Sequence, residues 1–337
     1  MTGKQRVMAA LAGHPADHLP LMPITMMFAA DTAGVHYRDY ASDGAVLAHA
    51  QMMTAERYGF DYVSAISDPA REASDLKAAV EWFDDQPPAI IESQALLGDK
   101  TALAGLRLPN PAAPGRMRDR VNAVRLLAEA AGAERIVEGW VEGPCAMSAD
   151  LRGLNTLMLD YHDDPDFVDQ LTEFVLAMEI AFAKAQIEAG ASLIGIGDAA
   201  ASLIGPKIYE RFVLAGECRL VRAIHEMGAL ARLHICGNTR RILKGMGQTG
   251  ADIVDLDYLS PIHEGRAAMG EHQMLLGNID PVRALRDGTP ESITAALAEC
   301  HRQAGSRYIV GAGCEVPRGT PAENLMAMRR YACENSE

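Results

Sequence analysis

Hydrophobic positions along this chain follow two rhythms in alternation. Short apolar runs with strand character give way to longer stretches in which apolar residues return every three or four positions. Residues 2–12 predict an amphipathic helix with Thr2 as its N-cap. "LPLMPIT" (19–25) predicts a short strand, its prolines placing it near an edge or an end. The stretch 43–59 predicts a helix stopped by Gly59, and "FDYVSAI" (60–66) a strand. Helical stripes follow at 117–131, 164–190 and 205–228, the last with Pro206 in its first turn. Strand patterns recur at 135–141, 191–197, 229–235, 251–257, 272–278 and 307–311.

With 20–25 and 60–66 these make eight strand candidates, most of them followed by a helix. Eight βα units predict a single (β/α)8 barrel, with residues 1–337 as one domain. Residues 67–115 break the rhythm and read as an insertion between the second and third strands. Within it, 78–93 predicts a hairpin around Asp84–Pro88. An open doubly wound sheet is the competing architecture, but no GxGxxG or GxxxxGK[ST] follows any strand.

Composition narrows the function classes. The 337 residues are 49% hydrophobic, ample for a core, and the net charge is −14. An acidic chain gains nothing from counterion release, so nucleic-acid binding is disfavoured. No Lys/Arg run offers a membrane-surface patch, and no segment approaches the ~20 apolar residues of a membrane span. With no N-terminal signal pattern, a cytoplasmic setting is expected. There the six cysteines stay free or metal-bound rather than paired.

In a barrel, the C-terminal strand ends carry the active site. Glu142 follows the third strand and Asp198 the fourth; His234 and Cys236 end the fifth; Asp255 and Asp257 end the sixth. Asn278 and Asp280 end the seventh, and Cys314 and Glu315 the eighth. Residues two apart on an extended chain point the same way, so His234 and Cys236 can aim at one point. Cys314 joins them only if the barrel closes. Thiolates with an imidazole suit zinc, with a fourth position for a carboxylate, water or substrate. Taken singly, a buried cysteine is a small hydrophobe and a strand-end histidine a hydrogen-bonded residue. Cys218, Cys300 and Cys333 fall on helices and read as packing; Cys145, near the third strand's end, stays open. Asp255 and Asp257 share a side of the sixth strand, so both or neither face the mouth.

The segments 197–239, "LLGNIDP" (275–281), "GAGCEVPRGTPAENLMAM" (311–328) and "VEGPCAMSADLRG" (141–153) resemble the uroporphyrinogen decarboxylase superfamily. The H-x-C with a later G-C resembles its zinc-containing branch, methyltransferases that exchange methyl groups with a corrinoid protein. That resemblance implies a (β/α)8 barrel and Zn2+ held by His234, Cys236 and Cys314. It implies a corrinoid (methylcobalamin) supplied by a corrinoid-binding partner protein, since no D-x-H-x-x-G segment is present. The acceptor would be a zinc-bound thiol such as coenzyme M. In the alternative, a methoxylated, amine or halide donor passes its methyl to the corrinoid. Glu142 would be a fourth zinc ligand displaced by substrate, and Asp198 would orient the histidine or bind substrate; the plainer alternative for both is loop and helix capping. A uroporphyrinogen-type decarboxylase fits less well, because "ITMMFAADTAGVHY" (24–37) has no arginine to hold a polycarboxylate. A structural zinc site and a folate-type methyl transfer are further alternatives.

Overall fold

The computed structural model describes residues 1–336. Among them the strands are β1 (Tyr62–Ser64), β2 (Val80–Glu81), β3 (Ala89–Ile90), β4 (Ile136–Glu142), β5 (Leu193–Gly197), β6 (Leu230–Ile235), β7 (Ile253–Leu256), β8 (Met274–Leu276) and β9 (Tyr308–Ile309). Seven of them form one parallel sheet in the order β1-β4-β5-β6-β7-β8-β9. Helices connect them and cover the outside, so the strands are buried on both faces and read as near-continuous apolar runs.

The expected first strand closes the ring with very few residues. Leu21 bridges Val310 in parallel, and its carbonyl accepts from Asp61 N at 3.0 Å on the other side. Pro20 and Pro23 have no N–H to donate, which keeps this stave to a single bridge. The result is the (β/α)8 barrel expected from the alternation.

Local chemistry sets the helix ends. Thr2 and Gln5 form a capping box for the helix Gly3–Ala12. Asp43 caps Gly44–Tyr58, and Gly59, at φ +72°, ends it. The predicted helix 205–228 is interrupted by a wide turn, Tyr209–Val213, that sets the Tyr209 hydroxyl on the Glu217 carboxyl. The short helix after β6 begins only at Leu243. Asn238 and Thr239 do not cap it, because Thr239 Oγ1 pairs with Ser260 Oγ at 2.8 Å and Asn238 Oδ1 accepts from Arg240 N at 3.2 Å.

Residues 67–115 stand apart from the barrel sheet. They hold the turn of helix Arg71–Asp75 and an antiparallel hairpin pairing Val80 with Ile90. Among the described residues, no helix is long and apolar enough to cross a membrane.

Candidate metal centre

The period of two along β6 places Arg232, His234 and Cys236 in one line, while Ala231, Leu233 and Ile235 pack outward under the helices. The line climbs from the barrel interior to its mouth. Gly237 then turns the chain away at φ +96°, where a Cβ would stand 2.9 Å from Ser202 Oγ. Across the mouth, the loop after β9 is pinned by a bridge between Ile279 and Ala312 and delivers Cys314.

The three side chains meet. His234 Nε2 lies 2.9 Å from Cys236 Sγ and 3.7 Å from Cys314 Sγ, and the two sulfurs are 3.6 Å apart. A tetrahedral zinc with ordinary bond lengths separates two sulfurs by ~3.8 Å and a sulfur from an imidazole nitrogen by ~3.6 Å. Two spacings match, and the third needs only a small opening of the His234–Cys236 pair. The chemistry also fits: soft sulfur, an imidazole presenting Nε2, and a side left open to the mouth. Among the described residues, this is the cluster of His, Cys, Asp and Glu groups close enough to share one ion. A hydrogen bond from Cys236 pushes the Cys314 thiol down to about 4, and the Cys236 thiol rises correspondingly.

Beneath the cluster runs a buried charge chain. His234 Nδ1 lies 3.2 Å from the Asp255 carboxylate; Arg232 reaches Asp255 Oδ2 at 2.5 Å and Glu138 Oε1 at 3.1 Å. All four side chains are buried. Burial opposes a charge on His234, but the Cys236 sulfur and the Asp255 carboxylate outweigh it and raise its pKa. Arg232 holds Asp255 ionised against its own burial. Asp257 takes another part: it accepts from Gly237 N and Leu259 N, each at 2.8 Å, and so fixes the turn that follows Cys236. Neither aspartate lines the mouth cavity.

The other expected residues take different places. Asp198 makes no hydrogen bond or ion pair with the His234 ring. Its carboxylate accepts from Ala146 N at 2.6 Å and Cys145 N at 3.3 Å, at the start of the helix Pro144–Arg152. It is fully buried, which holds it up at about 6 although those two amides pull it down. The orienting role expected of Asp198 therefore has its geometric counterpart in Asp255, and Asp198 caps a helix. Glu142 does face the mouth, but its carboxylate lies 3.0 Å from Arg71 Nη2 and outside the three-residue cluster. Burial pushes Glu142 well above the usual carboxylate range. Cys145 Sγ packs 3.3 Å from Tyr161 Oη, and Cys218, Cys300 and Cys333 sit on outer helices.

The mouth has two lobes that share Pro69, Glu142, Ala199 and Cys236. The inner lobe, about 230 Å³, lies over the cluster between Ile24, Ile66 and Trp140. Trp140 fits flat against β5 because Gly195 has no Cβ, which would otherwise stand 2.2 Å from the ring. The outer lobe, about 660 Å³, is walled by Pro87 and Pro88 of the hairpin and by Leu154 and Leu203. Asp255 beneath His234, and Arg71 behind Glu142, are the two features that strand ends alone do not single out.

Comparison with known proteins bears on this site. The family model for uroporphyrinogen decarboxylase (URO-D) matches residues 2–334. The methylcobamide:CoM methyltransferase MtbA of Methanosarcina mazei is 30% identical over 334 residues, covering 97% of this chain and 96% of that protein. The methylated-thiol–coenzyme M methyltransferase of the same organism is 27% identical, covering 100% of this chain and 90% of that protein. A solved methyltransferase from Methanosarcina mazei superposes with a TM-score of 0.90 at 22% identity, covering 99% of both chains, and so has the same fold.

Proposed function

The chain belongs to the uroporphyrinogen decarboxylase (URO-D) family, and from that premise we propose that it is a zinc-dependent methyltransferase working between a corrinoid carried by a partner protein and a small thiol. The observation that carries the reading is the convergence of His234, Cys236 and Cys314, from β6 and from the loop after β9, at the floor of the mouth. The relatives' names supply the methylcobamide and the thiol class to which coenzyme M belongs.

His234, Cys236 and Cys314, which line the inner lobe, would hold the ion. Zinc bound there would hold the substrate's sulfur as thiolate at neutral pH. Asp255 keeps the proton of His234 on Nδ1, so Nε2 stays a donor atom. Trp140, Ile24 and Ile66 exclude water around the sulfur and aim it up the mouth. The thiolate sulfur would attack the methyl carbon, and the partner's corrinoid, which would supply that methyl, would keep the electron pair of the carbon–cobalt bond. Methyl leaves the corrinoid as a cation equivalent, and no further oxidant or reductant is needed.

The outer lobe provides the approach. Leu203 is 64% exposed, and Tyr258 and Leu259 stand exposed on the loop after β7. Apolar side chains around an open cavity suit a flat macrocycle on a docked protein.

Metal analysis of dialysed protein tests the reading. About one zinc per chain is expected, lost in Cys314→Ala and kept in Cys218→Ala. Methylcobalamin with a thiol should then give methyl thioether only in the zinc-loaded protein. Zinc kept in full by Cys314→Ala, or thiol methylation without metal, would overturn it.

A further inference from the structure

We propose that Glu142, Glu72 and Asp150 form a proton path that takes the substrate thiol's proton out of the inner lobe and delivers it to the outer lobe. This rests on the methyl-transfer reading and adds its proton acceptor.

A thiol that ligates a metal as thiolate sheds one proton, and methyl transfer to that thiol releases the proton once per turnover. The inner lobe, walled by Ile24, Ile66 and Trp140, offers few groups to receive it. Its carboxyls are Asp68, Glu142 and Glu315. Arg116 reaches both oxygens of Asp68, at 2.8 and 2.6 Å, and keeps it ionised against its burial. Glu315 Oε1 accepts from the amides of Met26 and Met27, at 3.2 and 2.7 Å, and so fixes the chain there. Glu142 gives Oε1 to Arg71 Nη2 at 3.0 Å and leaves Oε2 free of any donor among the described residues. Of the three, Glu142 is the one that lines the outer lobe as well.

Behind Glu142 the chain buries more acid than base. Arg71 Nη2 also reaches Glu72 Oε1 at 3.3 Å, so one guanidinium joins the two carboxyls. The helix Arg71–Asp75 packs on the helix Pro144–Arg152, which brings Glu72 near Asp150, and Asp150 lines the outer lobe. Glu179, on the helix Pro165–Glu188, is buried beside Glu72 and Glu142. Four largely buried carboxyls around one guanidinium cannot all ionise. They share the one charge that Arg71 compensates, hold protons on the rest, and titrate as a group. Burial and the nearby Glu72 push Asp150 up to about 8, and burial raises Glu72, Glu142 and Glu179. Glu72 Oε2 and Asp150 Oδ2 have no partner among the described residues, so each is a place for a proton in transit.

The step balances. The thiol's S–H bond breaks, sulfur keeps the electron pair, and the proton bonds to Glu142 Oε2. Glu72 passes the excess proton on, Asp150 releases it into the outer lobe, and the group regains its single negative charge.

Stopped-flow mixing of the cobalt-substituted full chain with 1-propanethiol tests this without turnover. The thiolate-to-metal absorption band follows ligation, and an indicator dye in weak buffer follows the proton. In the native chain the two signals should rise together. In Glu142→Gln and in Asp150→Asn both should slow by at least about tenfold, with the final band at saturating thiol unchanged. Formate, a small proton acceptor that fits where a carboxylate was lost, should restore speed to Glu142→Gln; a merely structural role for Glu142 would not respond to it. Asp150→Asn, at the cavity wall, carries the test by itself if Glu142→Gln does not fold. Unchanged rates in either variant, slowing of Glu142→Gln that formate does not relieve, or loss of metal from Glu142→Gln overturns the path while leaving metal–thiol chemistry intact. A native chain that takes up no metal, or a bound metal that the thiol does not perturb, overturns the methyl-transfer reading itself and this proposal with it.

Discussion

His234 turns Nδ1 onto the carboxylate of Asp255, 3.2 Å away, and thereby presents Nε2 to the two cysteines. β6 and β7 pair these two residues directly across the sheet, so the contact is fixed by backbone register and not by a flexible loop. A neighbouring carboxylate fixes a ligating imidazole's tautomer and raises its basicity. Asp255→Asn keeps the shape and removes the charge, and should weaken zinc binding by about 10- to 100-fold. Competition against a chromogenic chelator measures this. Unchanged affinity would mean that the Asp255 carbonyl, also 3.2 Å from Nδ1, orients the ring unaided.

Arg232 holds the same chain from below, between Asp255 and Glu138. Glu138 Oε2 and Asp255 Oδ1 already lack partners, so the guanidinium is their main compensation. Arg232→Met, similar in length, leaves two buried carboxylates facing each other. It should cost about 3–5 kcal/mol of unfolding free energy, whereas most exposed substitutions stay within about 0.5 kcal/mol. Urea unfolding decides; a cost near zero would mean that the interior accepts both acids in protonated form.

Asp198 gives a pH test. Its folded-state pKa of about 6 lies above the ordinary 3.8. The folded chain therefore keeps a proton that the unfolded chain has released. Its contribution is fully present below pH ~4 and is lost as pH rises to ~6, by about 2–3 kcal/mol. Asp198→Asn still offers an oxygen to the amides of Cys145 and Ala146 and should flatten that fall. Unfolding curves between pH 4 and 7 for the two proteins test it; parallel curves would show that Asp198 titrates as an ordinary carboxylate.

These residues also show what the sequence reveals. The alternation along 229–236 makes His234 and Cys236 legible as one line, and the strand count is enough to bring Cys314 to the same mouth. The partner of His234 is not legible in that way. Asp198 and Asp255 both stand at strand ends, and only the register of β6 on β7 selects Asp255. That register depends on the lengths and packing of the crossover helices, which neither strand encodes. The pairing of Arg71 with Glu142 is hidden for a related reason: it joins a helix turn of the 67–115 segment to the end of β4, across 71 residues of chain. Asn238 and Thr239 have cap-forming side chains, but Thr239 is claimed by distant Ser260 and Asn238 by the backbone N–H of Arg240 in its own turn.

Leu203 offers a way to separate docking from chemistry. It is 64% exposed and lines the outer lobe, yet it lies on the loop after β5, away from the three-residue cluster. An apolar anchor at the centre of an interface contributes about 1–2 kcal/mol, and a charge there adds a desolvation penalty. Leu203→Glu should therefore raise KM for a methylated corrinoid protein by about tenfold or more. The rate with free methylcobalamin, which needs no protein interface, should change much less, and zinc content not at all. Equal losses with both methyl sources would place Leu203 in contact with the corrin itself. No loss with either would move the docking face elsewhere, with Tyr258 and Leu259 as the next positions to substitute.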